Sequence, residues 1–146
     1  MRSSIFTMAV LACALATGCG TGIVLDEPIE GPVWQLDQLG NELIEPSSDP
    51  QRNPQVQFDR NSGRVTGTGG CNRVSGVYER NGSLLRLRQL NATRMACASE
   101  ALNINETQFF AALQATASYR LQGSARLALL DAGGRTVATL STAGGR

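Results

Sequence analysis

Apolar residues alternate with polar ones in short runs along the second half of the chain. Val56 and Phe58 alternate with glutamine and aspartate, and Leu85 and Leu87 alternate with arginine. Period-two alternation is typical of β-strands that bury one face and expose the other to water. We predict a first folded segment at residues 33–36 and strands at residues 56–58, 64–70, 74–78, 85–87, 118–121, 126–130 and 136–140.

Turn-forming residues separate these strands. An Asn-Gly pair at residues 81 and 82 predicts a hairpin of type I′, in which both central residues have positive φ. Residues 60–63, 122–124 and 131–134 predict further turns. Three prolines within residues 45–54 predict a loop.

Helical spacing occurs once, after residue 104. Asn105 is the predicted N-cap, and Glu106 lies in the first turn, where the helix dipole favours a negative charge. The helix is predicted to end before Tyr119, and its apolar residues follow at helical spacing: Phe109, Phe110, Leu113 and Ala117. Many short antiparallel strands with one helix predict an α+β domain, a small strongly curved antiparallel β-sheet or open barrel packed against that helix.

The first eighteen residues have the pattern of a secretory leader. One arginine precedes an apolar run from Ile5 to Ala16, which is shorter than the roughly 20 residues that span a bilayer. The run ends at Ala16-Thr17-Gly18-Cys19, which resembles the lipobox of bacterial lipoproteins. We therefore predict a signal peptide and lipidation of Cys19. The alternative is an ordinary leader in which Cys19 is incidental.

These predictions divide the chain into a signal peptide at residues 1–18, a lipidated cysteine and tether at residues 19–32, and one domain at residues 33–142. We expect the lipid to hold the domain on a membrane, because two or more acyl chains anchor a protein stably. An aspartate after the cysteine often signals retention at the inner membrane. Gly20 follows instead, so we expect the outer membrane, facing the periplasm, and a monomer.

Charge and residue types exclude several functions. Without Arg2 the chain has twelve arginines and twelve acidic residues, so no basic field is expected to attract nucleic acid. Histidine is absent, which removes Ser-His-Asp catalysis, and the two cysteines of the predicted domain are too few for an all-cysteine zinc site, which needs four thiolates. The glycines of residues 67–70 lack the lysine and helix of a phosphate loop, and we expect them to allow a β-bulge or close strand packing. We predict no enzymatic activity, metal or cofactor.

Cys71 and Cys97 are the two cysteines left to the domain, since Cys13 lies in the leader and Cys19 carries the lipid. In an oxidising compartment such a pair usually forms a disulfide. The alternative is two separate buried thiols.

Two blocks that contain these cysteines resemble a known family. They are Gly70-Cys71-Asn72-Arg73-Val74-Ser75-Gly76-Val77-Tyr78 and Thr93-Arg94-Met95-Ala96-Cys97. Both closely resemble the META domain family of META/HslJ-type envelope lipoproteins, and the resemblance covers about residues 33–140. It implies an exported antiparallel β domain with a packed helix, links to heat shock, antibiotic resistance, motility or virulence, and no established catalytic residues. Its motif positions are our candidate site: Gly70, Asn72, Arg73, Ser75, Gly76, Thr93, Arg94 and Met95, with Cys71 and Cys97.

The motif has a structural and a functional interpretation. A Cys71–Cys97 bond would hold the two blocks together, and Asn72 is suited to a turn or to capping backbone groups. This favours a scaffold. The alternative is that Arg73 and Arg94 form a small cationic patch that binds a partner.

Three functions are consistent with the sequence. The first is a membrane-anchored, non-enzymatic domain that supports envelope integrity or stress tolerance by binding an unidentified envelope protein or lipid. The second, by analogy of fold alone, is a pilotin-like or lipid-carrier chaperone that binds an acyl chain or apolar peptide. The third is a protease inhibitor that uses the loop at residues 45–54.

Overall fold

Nine β-strands and one α-helix make up the domain. The computed structural model describes residues 28–142. The elements are β1 (Val33–Leu39), β2 (Glu42–Leu43), β3 (Gln55–Asp59), β4 (Arg64–Thr68), β5 (Arg73–Asn81), β6 (Leu84–Ala92), α1 (Glu100–Ala115), β7 (Ser118–Gln122), β8 (Arg126–Leu130) and β9 (Thr136–Ser141).

The strands form one antiparallel sheet that curves into a ring. Their order is β2-β1-β3-β4-β5-β6-β7-β8-β9, and β9 also pairs with β1. Strands β6 and β7 share the register pair Leu84 and Ser118 alone, so the ring is almost open there. The helix α1 connects these two strands and packs against β1, β6, β8 and β9. The predicted fold class, a strongly curved antiparallel sheet packed against one helix, is confirmed.

The core fills the inside of the ring. Alternate residues of the strands point inward, as the polar–apolar pattern predicted, and the largest of them, Trp34 and Phe58, are at most 1% exposed. From the helix, Phe109 and Leu113 are fully buried against them. Burial of such side chains is worth about 1.5–3 kcal/mol each, so this core supplies most of the driving force for folding.

The N-terminal boundary of the domain lies earlier than predicted. Ile29 is fully buried and its carbonyl oxygen accepts a hydrogen bond from Trp34 Nε1 at 2.8 Å. Gly31 donates its N–H to the carbonyl oxygen of Phe58 at 3.1 Å. Residues 28–32, which we assigned to the tether, therefore belong to the folded domain. The predicted leader, Cys19 and the rest of the tether lie outside the described residues.

The helix begins before the predicted N-cap. Ser99 is the N-cap, and its side chain accepts a hydrogen bond from the N–H of Leu102 at 3.2 Å. Asn105 lies in the second turn, and Ala117 lies beyond the end of the helix. The first turns are mostly solvated, with Ile104 46% exposed. The apolar periodicity used to place the start is therefore weak there.

The hairpin between β5 and β6 has a different turn type. Asn81 pairs with Leu84, so Gly82 and Ser83 are the central residues. Gly82 has a φ of 57° and Ser83 does not have positive φ. This is the glycine-first pattern of type II′ and not the predicted type I′.

Two short elements were not predicted. Strand β2 pairs with the end of β1, and a 3-10 helix at Pro50–Arg52 lies inside the predicted loop. In the described part of the chain, no helix has the length and apolar character needed to cross a membrane.

Candidate functional site

A disulfide joins the two motif blocks. Cys71 lies just before β5 and Cys97 lies between β6 and α1, and their Cα atoms are 5.6 Å apart. The predicted pairing is confirmed. A cross-link over 26 residues removes unfolded-state entropy worth about 3 kcal/mol in the chain-entropy model. It fixes the start of β5 against the segment that leads into the helix.

Asn72 connects both blocks to the helix through four hydrogen bonds. Its Nδ2 donates to Glu106 Oε1 at 2.6 Å and to the carbonyl oxygen of Met95 at 3.2 Å. Its Oδ1 accepts from Thr93 Oγ1 at 2.9 Å and from the N–H of Met95 at 2.7 Å. A side-chain amide offers two N–H donors and one oxygen with two acceptor positions. Asn72, which is 4% exposed, therefore has its full hydrogen-bonding capacity satisfied inside the protein.

Glu106 completes this network from the helix. Its Oε2 accepts hydrogen bonds from the backbone N–H groups of Cys71 at 3.0 Å and of Asn72 at 2.5 Å. The side chain is buried, with 4% exposed. A buried carboxylate is costly unless it is hydrogen-bonded, and here three donors converge on it.

The candidate site residues predicted from the motif did not include Glu106, although the sequence carries a signal for it. Glu106 lies three and seven residues before Phe109 and Leu113, on the same face of the helix as these core residues. An acidic residue on an apolar face needs a buried partner. The identity of that partner was not readable from the helix alone.

Thr93 and two glycines of the motif complete the scaffold. Thr93 accepts a hydrogen bond at Oγ1 from the N–H of Arg73 at 3.0 Å, and its own N–H donates to the carbonyl oxygen of Arg73 at 3.0 Å. Gly70 has a φ of 102°, and a Cβ there would lie 2.7 Å from the carbonyl oxygen of Arg52. Gly76 is buried, and a Cβ there would lie 2.7 Å from the carbonyl oxygen of Arg88. These residues hold the two motif blocks in place through hydrogen bonds and close backbone packing.

Three motif residues point away from the scaffold. Arg73 and Arg94 are exposed, and Met95 is 61% exposed. Neither arginine forms an ion pair with another described residue. We call these three side chains the motif rim. A rigid base with exposed basic and apolar side chains is an arrangement suited to binding.

Two open grooves flank the motif rim. One, of about 1100 Å³, lies over β3, β4 and β5 and is lined by Arg73, Met95 and the half-buried Ser75 among others. The other, of about 750 Å³, lies between the rim and α1 and is lined by Arg94, Met95 and Phe110 among others. The motif rim thus separates two concave surfaces.

The sulfur atoms of the disulfide and the carboxylate of Glu106 also lie within 4.8 Å of one another. Cysteine binds metal ions as the thiolate. Cys71 and Cys97 are bonded to each other here, so neither thiolate is available while the disulfide is intact, and we assign no metal role to the cluster.

A second polar cluster, not predicted from the sequence, holds the N-terminal segment. Glu30 forms ion pairs with Arg80 at 3.2 Å and with Arg60 at 3.8 Å. Tyr78 donates its hydroxyl to Glu30 Oε1 at 3.1 Å. Burial, reinforced by Glu30, raises the pKa of Tyr78 to about 12. The cluster fixes residue 30 against β5.

Comparison with solved structures supports the same fold. An NMR structure with 23% identity covers 83% of this chain and 97% of its own, with a TM-score of 0.64. An NMR structure of a protein from Burkholderia xenovorans, 21% identical, covers 98% of this chain and 99% of its own, with a TM-score of 0.60. A crystal structure of a DUF4847 family protein from Bacteroides vulgatus, 18% identical, covers 80% and 95%, with a TM-score of 0.53. At these identities the likeness concerns the fold.

Comparison with protein families identifies the family to which the two cysteine blocks belong. A search of curated proteins finds no match. The META domain family matches residues 27–144, which include both cysteine blocks, the helix and the buried N-terminal segment. This chain belongs to the META domain family.

Proposed function

We propose that this protein is a membrane-anchored, non-enzymatic domain of the bacterial envelope that binds an envelope partner through the motif rim. The observation that carries the proposal is the division of the motif. The side chains of Asn72 and Thr93 form hydrogen bonds within the domain. The side chains of the motif rim, in contrast, are exposed to solvent. A rigid scaffold that presents exposed side chains lowers the entropic cost of binding.

A non-enzymatic role is supported by the state of the buried polar groups. Glu106 accepts three hydrogen bonds from Cys71 and Asn72 and lies in the interior. General acid–base catalysis needs a group within hydrogen-bond reach of a substrate proton. The carboxylate of Glu106 faces its own chain instead.

The motif rim favours an anionic partner with some apolar character. Guanidinium groups bind carboxylates and phosphates in a planar, bidentate geometry. Met95 adds a flexible thioether that adapts to apolar surfaces. Binding of this kind fits a supporting role in envelope integrity or stress tolerance.

Surface binding is also favoured over the carrier alternative. Trp34, Phe58 and Phe109 are at most 1% exposed and fill the middle of the described core. An acyl chain or apolar peptide would have to displace them or lie in an outer groove. Native mass spectrometry after gentle purification tests the alternative. A carrier would keep its ligand bound, and the measured mass would exceed that of the protein alone.

The anchor and the binding role are tested in the same cells. We expect Cys19→Ser to release the protein from membranes washed with high salt, and membrane association that survives the wash would contradict the anchor. We expect a photo-crosslinking residue at position 95 of the lipidated chain to capture an envelope component.

A matched pair of variants tests the motif rim. Arg73→Ala with Arg94→Ala should abolish the crosslink. Arg120→Ala with Arg126→Ala removes two exposed arginines from β7 and β8 and should leave it intact. Equal capture by both double variants would overturn the role of the rim.

A further inference from the structure

We propose that the outer face of β4, β5 and β6 binds the anionic phospholipid headgroups of the membrane that holds the chain. This inference rests on the proposed function and names the partner class of the same surface. We call the surface the basic face, and its arginines are Arg64, Arg73, Arg86, Arg88 and Arg94.

Strand register places these arginines on one side of the sheet. Val65, Val74, Leu85 and Leu87 point into the core, so their strand neighbours Arg64, Arg73, Arg86 and Arg88 point outward. Arg64 on β4 lies opposite Val77 on β5, and Val77 lies opposite Arg88 on β6. Arg64 and Arg88 are therefore two strand spacings apart, about 10 Å. Arg94 follows the end of β6, beside Thr93, which is hydrogen-bonded to Arg73.

The basic face is unusual in its balance of charge. Residues 28–142 contain eleven arginines and ten acidic residues, so the domain as a whole is nearly neutral. On the described outer positions of β4, β5 and β6, Glu79 is the single carboxylate, and it pairs with Arg88 at 3.1 Å. Four of the ten acidic residues lie within residues 37–49, which contain no arginine, and Asp59 on β3 lies opposite Arg64 at the edge of the basic face. The basic face therefore carries a net positive charge, whereas the domain as a whole is nearly neutral.

The point where the tether enters supports a membrane as the occupant. Pro28, the first described residue, lines the same concavity as Arg60 and Arg64. From Cys19 to Pro28 the chain advances nine residues, which span at most about 30 Å. A lipid on Cys19 would keep the basic face within reach of the headgroups of its own bilayer.

Exposed apolar side chains flank the basic face. Leu84 is 54% exposed and points outward on β6, in line with Arg86 and Arg88, and Met95 is 61% exposed beside Arg94. Apolar side chains beside basic ones are typical of surfaces that rest in the headgroup layer. Phosphate groups supply the bidentate acceptors that arginine prefers.

Vesicle binding of the unlipidated chain tests this inference apart from the anchor. We would use the chain from residue 19 with Cys19→Ser, which retains every described residue, and vesicles of phosphatidylglycerol and phosphatidylethanolamine or of phosphatidylcholine alone. We expect binding to the anionic vesicles that weakens with added salt and no binding to the zwitterionic ones. Arg73→Gln with Arg86→Gln should weaken it by about 30-fold, which corresponds to about 1 kcal/mol for each arginine near an anionic surface.

The matched control is Arg120→Gln with Arg126→Gln, which removes the same charge from β7 and β8 and should bind as the parent chain does. Equal weakening in the two double variants, or no binding to anionic vesicles, would overturn the inference.

Salt-sensitive self-association of the pure chain that the Arg73 and Arg86 changes abolish would also overturn it, because the acidic segment of a second copy would then be the occupant. Absence of vesicle binding with protein capture at position 95 in cells would overturn this inference alone. Membrane retention of Cys19→Ser in cells that survives a high-salt wash would overturn the anchor instead.

Discussion

Glu106 accepts hydrogen bonds from both the main-chain and the side-chain nitrogen of Asn72, at 2.5 and 2.6 Å. The two residues are 34 positions apart in sequence, one on the helix and one immediately before β5. Because Asn72 also binds Thr93 and Met95, one buried contact aligns the helix, β5 and the segment after β6. The order of the motif rim depends on this contact.

Replacement of Glu106 should be strongly destabilising. Glu106→Ala leaves the N–H groups of Cys71 and Asn72 and one donor of the Asn72 amide without their partner. An unsatisfied buried donor costs about 1–3 kcal/mol, so we expect the free energy of unfolding to fall by about 3 kcal/mol or more. Glu106→Gln keeps one acceptor oxygen and should lose less. Urea denaturation followed by circular dichroism measures both.

Gln114→Ala is the control for these variants, because Gln114 lies on the same helix and is exposed. Its effect should stay within about 0.5 kcal/mol. If Glu106→Ala were no more destabilising than Gln114→Ala, the buried network would have no role in stability.

The disulfide should contribute separately from the polar network. Cys71→Ala with Cys97→Ala removes the cross-link between positions 26 apart, and the chain-entropy model gives a loss of about 3 kcal/mol. The same loss should follow when the parent chain is unfolded in the presence of a dithiol reductant, and the reductant should not change the double variant. Two reactive thiols in the unreduced parent domain would show that the bond is absent.

The alternation of apolar and polar residues was sufficient to predict most of the strands and the fold class. Val56 and Phe58, or Leu85 and Leu87, point inward because side chains alternate across a strand whatever its partners are. The disulfide followed from counting cysteines. Long-range relationships were less accessible. Asn72 and Glu106 form hydrogen bonds across 34 residues of sequence, and no local sequence pattern predicts such a contact.

Boundary errors have a related cause. Ile29 was assigned to the tether because the residues around it show no periodicity, yet one buried side chain and the carbonyl oxygen that binds Trp34 suffice to hold it. The helix start was misplaced because Ser99 caps a turn that faces solvent, where apolar spacing gives little signal.

Ser99 and Asn105 together test the corrected helix start. Ser99→Ala removes the side-chain acceptor for the N–H of Leu102, and loss of an N-cap costs about 1 kcal/mol. Asn105→Ala changes a position inside the helix and should stay within about 0.5 kcal/mol. Thermal and urea denaturation of the two variants give the comparison. If Asn105→Ala lost more stability than Ser99→Ala, the helix would begin at the later, predicted N-cap.

Tyr78 should make the stability of the domain depend on alkaline pH. Burial and the neighbouring Glu30 raise the pKa of Tyr78 from 10.0 to about 12 in the folded state. The folded protein therefore keeps the phenolic proton at pH values where the unfolded chain has released it. Since the unfolded chain binds fewer protons over this range, the free energy of unfolding should fall as pH rises from 10 to about 12. The contribution is fully present below pH 10.

Tyr78→Phe removes the group that titrates and should flatten this part of the profile. The variant also loses the hydrogen bond to Glu30, so it should be less stable than the parent chain below pH 10 and approach it as pH rises. The ion pair between Glu30 and Arg80 remains in the variant and keeps the N-terminal segment in place, because arginine stays charged throughout this range. Urea denaturation midpoints measured across the range give both slopes. Parallel profiles for the parent chain and Tyr78→Phe would show that the hydroxyl titrates alike in the folded and unfolded states, and the buried contact with Glu30 would then have no energetic effect.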